Sequence, residues 1–210
     1  MSKNALIVGC GSKLGLNLAK TLLDQEYQIY GITGSDITDT HIHYQQVDWA
    51  TIGITGCEKF LRALPAIDLV IFNQNSPALT EEYFKYNNVN IFEIWSRSKK
   101  WQQSHYVNCI LPTHFLHTLS DAKKINDQST IVWMLSNVVF DHTGPVDYLG
   151  QKSQNLYTMQ RFAKHNQQIH LGIDPATLEA DILVRFMLST TQENSGKFYS
   201  ISKTSITERC

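Results

Sequence analysis

Charge is scarce in this sequence. Asp, Glu, Lys and Arg make up 18% of the 210 residues and the net charge is −1, below the usual quarter of a globular chain. There is no basic surplus to hold a phosphate backbone, which argues against a nucleic-acid partner. The four cysteines, Cys10, Cys57, Cys109 and Cys210, are scattered and lack metal-ligand spacing. A reduced, cytoplasmic protein is therefore expected. No apolar run approaches the about 18 residues of a membrane-spanning helix, so no membrane partner is expected. The apolar run after Met1-Ser-Lys-Asn4 is too short for a signal-peptide core. Repeats, low-complexity tracts and Pro/Gly/Ser-rich linkers are missing too, so residues 1–210 read as one domain. Asn, Gln, Ser and Thr fill the place of the charges, and hydrophobic residues at 42% are enough for a sizeable core.

Short apolar runs alternate with longer amphipathic stretches. Strands are predicted at 5–8, 28–32, 43–47 (weakly), 68–72, 130–135, 169–173 and 198–201. Helices are predicted at 14–23, 56–64, 105–119, 147–165 and 178–188. Pro112 lies inside the third of these and predicts a kink or a late start. The strand runs are apolar throughout rather than alternating, as in a sheet covered on both sides. The pattern predicts an α/β doubly wound parallel sheet of Rossmann type, with about seven strands and helices on both faces. Such sheets bind ligands beyond the carboxyl ends of their strands.

The first strand ends in Gly9-Cys-Gly-Ser-Lys-Leu-Gly15. Gly9 suits a tight turn, Gly11 lets a pyrophosphate approach backbone N–H groups, and Gly15 lets the helix pack close to the strand. The helix start adds partial positive charge. A tight turn with no ligand remains the alternative.

Ser136 follows the fifth strand; Tyr148 comes twelve positions later, and Lys152 four after that. Residues four apart share a helix face. A free tyrosine has a pKa of roughly 10, and a nearby ammonium draws it down. Ser136 at a strand end can hydrogen-bond a substrate carbonyl beside the phenol. The set suits general acid–base catalysis, the tyrosine giving a proton to an oxygen as hydride reaches its carbon. A surface tyrosine lying on a lysine stem is the bland alternative for the pair alone.

From Asn4 to about Ile201 the chain resembles the short-chain dehydrogenase/reductase family. The family's Thr-Gly-x-x-x-Gly-x-Gly turn is similar to Val8-Gly-Cys-Gly-Ser-Lys-Leu-Gly15, which places Gly9, Gly11, Ser12, Lys13, Leu14 and Gly15 at the cofactor. Its adenine-contacting Asp resembles Asp48, with Trp49 beside it, and its Asn-Asn-Ala-Gly strip resembles Phe72-Asn-Gln-Asn75, with Asn73 retained. Its active-site Asn, Ser, Tyr and Lys fall on Asn108, Ser136, Tyr148 and Lys152. The resemblance implies a carbonyl/alcohol oxidoreductase using a nicotinamide cofactor. Tyr148 is then the acid/base, and Lys152 holds the nicotinamide ribose and lowers the phenol pKa. Ser136 orients the carbonyl, Asn108 holds a proton-relaying water, and Asn73 supports the cofactor. A homodimer or homotetramer is implied as well.

Departures from the family accompany the resemblance. Val8 replaces the Thr whose hydroxyl ties the turn down. Lys13 stands at the middle glycine, where a Cβ is costly if φ is positive. Residues 76–105 form a longer stretch than usual and either cap the cleft or lie exposed. Ile173-Asp-Pro-Ala-Thr177 runs almost directly into the next helix, so the substrate lid is largely absent. With no carboxylate at the end of the second strand, and with Thr33, Ser35 and Lys13 at hand for a 2′-phosphate, NADP(H) is expected over NAD(H). His142 is expected in an exposed loop. His114 and His117 lack further ligands, and no metal site is expected. Cys10 reads as a small packed residue, with oxidation sensitivity as the alternative. The rival to an enzyme is a catalytically idle cofactor-binding sensor or interaction module on the same fold.

Overall fold

In the computed structural model, the described residues are 3–48, 56–74, 99–141, 146–176 and 179–209, without the side chains of 99–101, 138, 146 and 147. The chain opens with β1 (Lys3–Val8), α1 (Lys13–Asp24), β2 (Tyr27–Thr33), β3 (Ile42–Gln46), α2 (Glu58–Ala63) and β4 (Leu69–Phe72). It continues with α3 (Lys99–His105), a π-helical segment (Tyr106–Ile110), α4 (Leu111–Asp121), β5 (Thr130–Met134), a short α5 (Val138–Asp141) and the long α6 (Val146–His165). Then follow β6 (Ile169–Pro175), α7 (Ala180–Ser189), a 3₁₀ turn (Gln192–Asn194), β7 (Phe198–Ile201) and β8 (Ile206–Arg209).

The described strands form one eight-stranded sheet in the order β3-β2-β1-β4-β5-β6-β7-β8. Every neighbouring pair is parallel except β7 and β8. Strand direction of travel reverses between β1 and β4. The turn after β1 and the end of β4 therefore open onto the switch point, where a doubly wound sheet has its crevice.

Both faces are covered, which is why the strands read as unbroken apolar runs. Ala5 and Ile7 of β1 pack with Leu18 and Leu22 of α1 and Leu183 and Met187 of α7. Leu6 and Val8, pointing the other way, pack with Leu61 of α2, Phe115 and Leu119 of α4 and Met159 of α6. The doubly wound expectation holds.

Two differences from the sequence reading have physical causes. β8 lies beyond the seven predicted strands. All four of its residues are exposed, so it carries no apolar alternation to read. The helix predicted to begin at His105 begins earlier, at Lys99, and Pro112 produces a π-helical segment rather than a late start. Residues 176–179 alone separate β6 from α7, leaving no room there for a lid.

Candidate active site

The turn after β1 is tied down from inside. Ser12 caps α1, its Oγ accepting from Gly15 N–H at 3.0 Å and donating to Gly9 O at 3.1 Å. Asn73 Nδ2, arriving from β4, donates to the same Oγ at 2.8 Å and to Gly9 O at 3.1 Å. Ser12 and Asn73 thus hold a turn in which Val8 has no hydroxyl to offer. The glycines are demanded by sterics: a Cβ on Gly15 would lie 2.4 Å from Gly9 O, and one on Gly11 2.2 Å from Thr33 Oγ1. Gly9 has φ +86°, with Gln74 N–H 2.7 Å from where its Cβ would be. Lys13 is not among the described non-glycine residues with positive φ, and it opens α1 as ordinary helix. Its Cβ therefore imposes no backbone strain. The N–H groups of Gly11, Lys13 and Leu14 make no hydrogen bond with the described residues. Three free donors at the N-terminus of a 12-residue helix fit a pyrophosphate.

Asn108 owes its position to Pro112. A proline has no N–H and its ring crowds the carbonyl four residues back, which is that of Asn108. The helix widens into the π-helical segment, a distortion common at functional sites. Asn155 Nδ2 of α6 donates to the Asn108 carbonyl at 2.8 Å. The Asn108 side chain donates to Gln151 Oε1 at 2.7 Å and to Ser104 Oγ at 3.3 Å. Ser104, Asn108, Gln151 and Asn155 are all buried. A hydrogen-bonded polar layer thus joins the π-helical segment to α6, and such layers fix one relative position of two elements.

Ser136, two residues past the end of β5, is hydrogen-bonded to the Tyr148 hydroxyl of α6. Lys152, one turn further along α6, is buried and donates from Nζ to Met134 O at 3.0 Å. Its Nζ lies 5.5 Å from the centre of the Tyr148 ring. Burial lowers the Lys152 pKa to about 8, with Cys109 and Asp174 pulling it back up. Burial raises that of Tyr148, the Ser136 hydrogen bond opposing and the Asp174 charge adding to the rise. The expected downward pull on the phenol is thus absent. Desolvation sets the direction instead, and Lys152 faces the ring while bonded to a carbonyl.

Asp174, at the carboxyl end of β6, is a member that sequence reading placed only in the shortened lid. Burial raises its pKa, while hydrogen bonds from Asn137 N–H, Ser200 and the Asn137 side chain oppose this. Ser200 Oγ lies 3.5 Å from Asp174 Oδ2 and accepts from Asn137 Nδ2 at 2.9 Å. Its position at a strand's carboxyl end was the available signal. Gln74, Gln151 and Asn155 also went unread. The spacing of Asn155 from Lys152, three positions along one helix face, was theirs.

Of the remaining predicted residues, Thr33 and Ser35 adjoin the glycine turn: a Cβ on Gly11 would lie 2.2 Å from Thr33 Oγ1 and 3.3 Å from Ser35 Cβ. Thr33 is buried, and its Oγ1 accepts from Ser35 N–H at 3.0 Å, whereas Ser35 itself is exposed. Asp48 is exposed just past β3. Trp49, His142 and most of the 76–105 stretch lie outside the described residues. Cys10 is buried beneath Gly31, its Sγ donating to Ile32 O at 3.6 Å, and burial pushes its thiol up to about 12. That favours the packed reading over an oxidation sensor. Among the described residues, no group of three His, Cys, Asp or Glu could hold a metal ion, and no helix is long and apolar enough to cross a membrane.

No protein-family model matches the chain, and no curated protein matches it. Its fold is nevertheless that of solved short-chain dehydrogenase/reductase structures. A carbonyl reductase from Pseudomonas aeruginosa superposes with a TM-score of 0.74 at 16% identity, over 94% of this chain and 96% of that one. A short-chain dehydrogenase/reductase from Serratia marcescens superposes with a TM-score of 0.72 at 13% identity, over 95% of each chain. BdcA, in complex with NADPH, superposes with a TM-score of 0.74 at 12% identity, over 95% of this chain and 92% of that one.

Proposed function

We propose that this protein is a short-chain dehydrogenase/reductase that interconverts a small-molecule carbonyl and its alcohol, with a bound nicotinamide dinucleotide. The observation that carries the reading is the Ser136–Tyr148 hydrogen bond with the Lys152 ammonium under the same phenol ring. A pure binding module has no need of that set beside a phosphate turn. The cofactor, when bound, supplies or accepts the hydride. Gly11, Lys13 and Leu14 offer it backbone N–H groups, and Lys13 with Ser35 offers a 2′-phosphate a cation and a hydroxyl. This favours NADP(H).

In the reductive direction Ser136 Oγ donates to the carbonyl oxygen and holds it beside Tyr148 Oη. Tyr148 delivers its proton to that oxygen as the carbon gains the hydride, leaving a phenolate. The Lys152 charge stabilises the phenolate, and a raised phenol pKa keeps the proton in place until then. Asn108 fixes α6 against the π-helical segment, so that Tyr148 and Lys152 stay in register.

Tyr148→Phe tests the reading against the idle-sensor alternative. NADPH affinity, followed by energy transfer from tryptophan, should be unchanged, while turnover across a panel of aldehydes and ketones is lost. Undiminished turnover in Tyr148→Phe would sink the mechanism. Binding of neither NADPH nor NADH by the wild type would favour an interaction role.

A further inference from the structure

Beside Lys152 lies a narrow gap too small for a water molecule, walled by Phe72, Trp133, Met134 and Leu135 and also lined by Gln74 and Asn155. Gln74 is 7% exposed and Asn155 5%. Each holds one amide end in place through its nitrogen: Asn155 Nδ2 donates to Asn108 O at 2.8 Å, and Gln74 Nε2 to Val107 O at 3.4 Å. Their oxygens, Asn155 Oδ1 and Gln74 Oε1, are fully buried without a hydrogen-bond partner. An ammonium has three N–H donors, and one bond of Lys152 Nζ is accounted for, to Met134 O. Two donors and two acceptors thus stand unmatched along one narrow gap. Leaving a buried donor or acceptor unmatched is costly, and a charged one more so.

We propose that Asn155 and Gln74 are positioning residues whose unpaired amide oxygens, lining the same gap as Lys152, keep the ammonium charge in the interior through their dipoles. Their nitrogens are committed to the two carbonyls of the π-helical segment, so the oxygens are aimed by the same distortion that Pro112 creates. Asn155 thereby links Asn108 to Lys152 through a side-chain amide. The other groups facing the ammonium are the Tyr148 ring on its own helix, Cys109 on the π-helical segment and Asp174 on β6. Cys109 is raised to about 12 by burial and stays a thiol. Asp174 is the remaining anion, and it is engaged by Asn137 and Ser200. The inference rests on reading Lys152 as the cation that serves Tyr148.

The test is a direct titration of Lys152 by its 13Cε chemical shift in lysine-labelled protein without cofactor, assigned through Lys152→Met. Asn155→Leu and Asn155→Asp both remove the donor to Asn108 O, so a purely structural role moves the midpoint the same way in both. The proposal instead predicts opposite shifts, downward by about half a pH unit in Asn155→Leu and upward by about one in Asn155→Asp. Gln74→Met, which leaves the junction of α6 with the π-helical segment intact, should shift the midpoint down and decides the matter if the Asn155 variants do not fold. Equal shifts in the two Asn155 variants, or an unmoved midpoint in Gln74→Met, overturn the proposal. Because the titration is read without turnover, its failure leaves the oxidoreductase reading standing. A wild type that reduces no carbonyl likewise leaves the titration result standing.

Discussion

At the scale of single residues, Lys13 is where this chain departs most from the glycine turn it resembles. Its backbone is ordinary helix, so the substitution adds a side chain without straining the turn. That side chain is exposed at the helix start, beside three free N–H groups. A lysine there adds a point charge to a site that already favours anions. Lys13→Ala should weaken NADPH by at least about tenfold, the loss of one charge-assisted hydrogen bond, and NADH by much less. Equal losses in paired titrations would remove the 2′-phosphate role. The cysteines give a second check. Cys10, Cys57 and Cys109 are buried, and burial pushes their thiols up to about 12, 11 and 12. The thiolate is the reactive form, so brief iodoacetamide treatment of the native protein near neutral pH should alkylate none of the three. Mass spectrometry of the digested protein reads this directly.

At the scale of elements, the β1–α1 junction and the widened helix each hang on one backbone requirement. Gly15→Ala would drive a Cβ to 2.4 Å from Gly9 O, a backbone atom that cannot turn aside. It should destabilise the protein by about 1–3 kcal/mol in urea melts and displace the free N–H groups, abolishing dinucleotide binding. Pro112→Ala restores an N–H that competes with Asn155 for Asn108 O. A return towards regular helix turns Asn108 away from Gln151, so turnover should fall at least about tenfold with NADPH affinity nearly unchanged. The glycine turn and the Ser136, Tyr148 and Lys152 set were legible in the sequence because motif spacing and helix periodicity record them directly. The buried face of α6 was not. Gln151 and Asn155 carry no apolar signal of burial, and only the polar surface of the π-helical segment opposite makes them interior. β8 was hidden for the converse reason, since an edge strand exposed along its length has no burial pattern to write into its sequence. The bond from Ser35 N–H to Thr33 Oγ1 was not legible either, since a hydroxyl at a strand end reads the same whether or not it caps its own turn.

At the scale of the whole molecule, two basic side chains are buried against their ordinary titration, and both tie stability to pH. His170 on β6 is 1% exposed, stacks on Phe162 at 5.6 Å, and has neither ring nitrogen hydrogen-bonded. Burial lowers its pKa from 6.5 to about 4. Between those values the unfolded chain binds the proton and the folded one does not, so stability falls as pH drops from 6.5 towards 4. The full loss amounts to about 3 kcal/mol. His170→Leu keeps the apolar contact and should flatten that acid limb in urea melts run at several pH values. Lys152 works in the alkaline window. Its pKa is lowered from 10.5 to about 8, so the folded state bears the cost of a buried charge at every pH below about 8. That cost is relieved as pH rises towards 10.5, the unfolded chain again holding the extra proton. A buried charge that the fold must tolerate at neutral pH is a poor stabilising device but a sound catalytic one, if Tyr148 needs a cation beside it. Lys152→Met should therefore raise the melting temperature at pH 7, lose that advantage as the pH approaches 10.5, and abolish turnover at both. A Lys152→Met protein that is less stable at pH 7 would show that the lysine is held for structure, and the case for its role in catalysis would weaken with it.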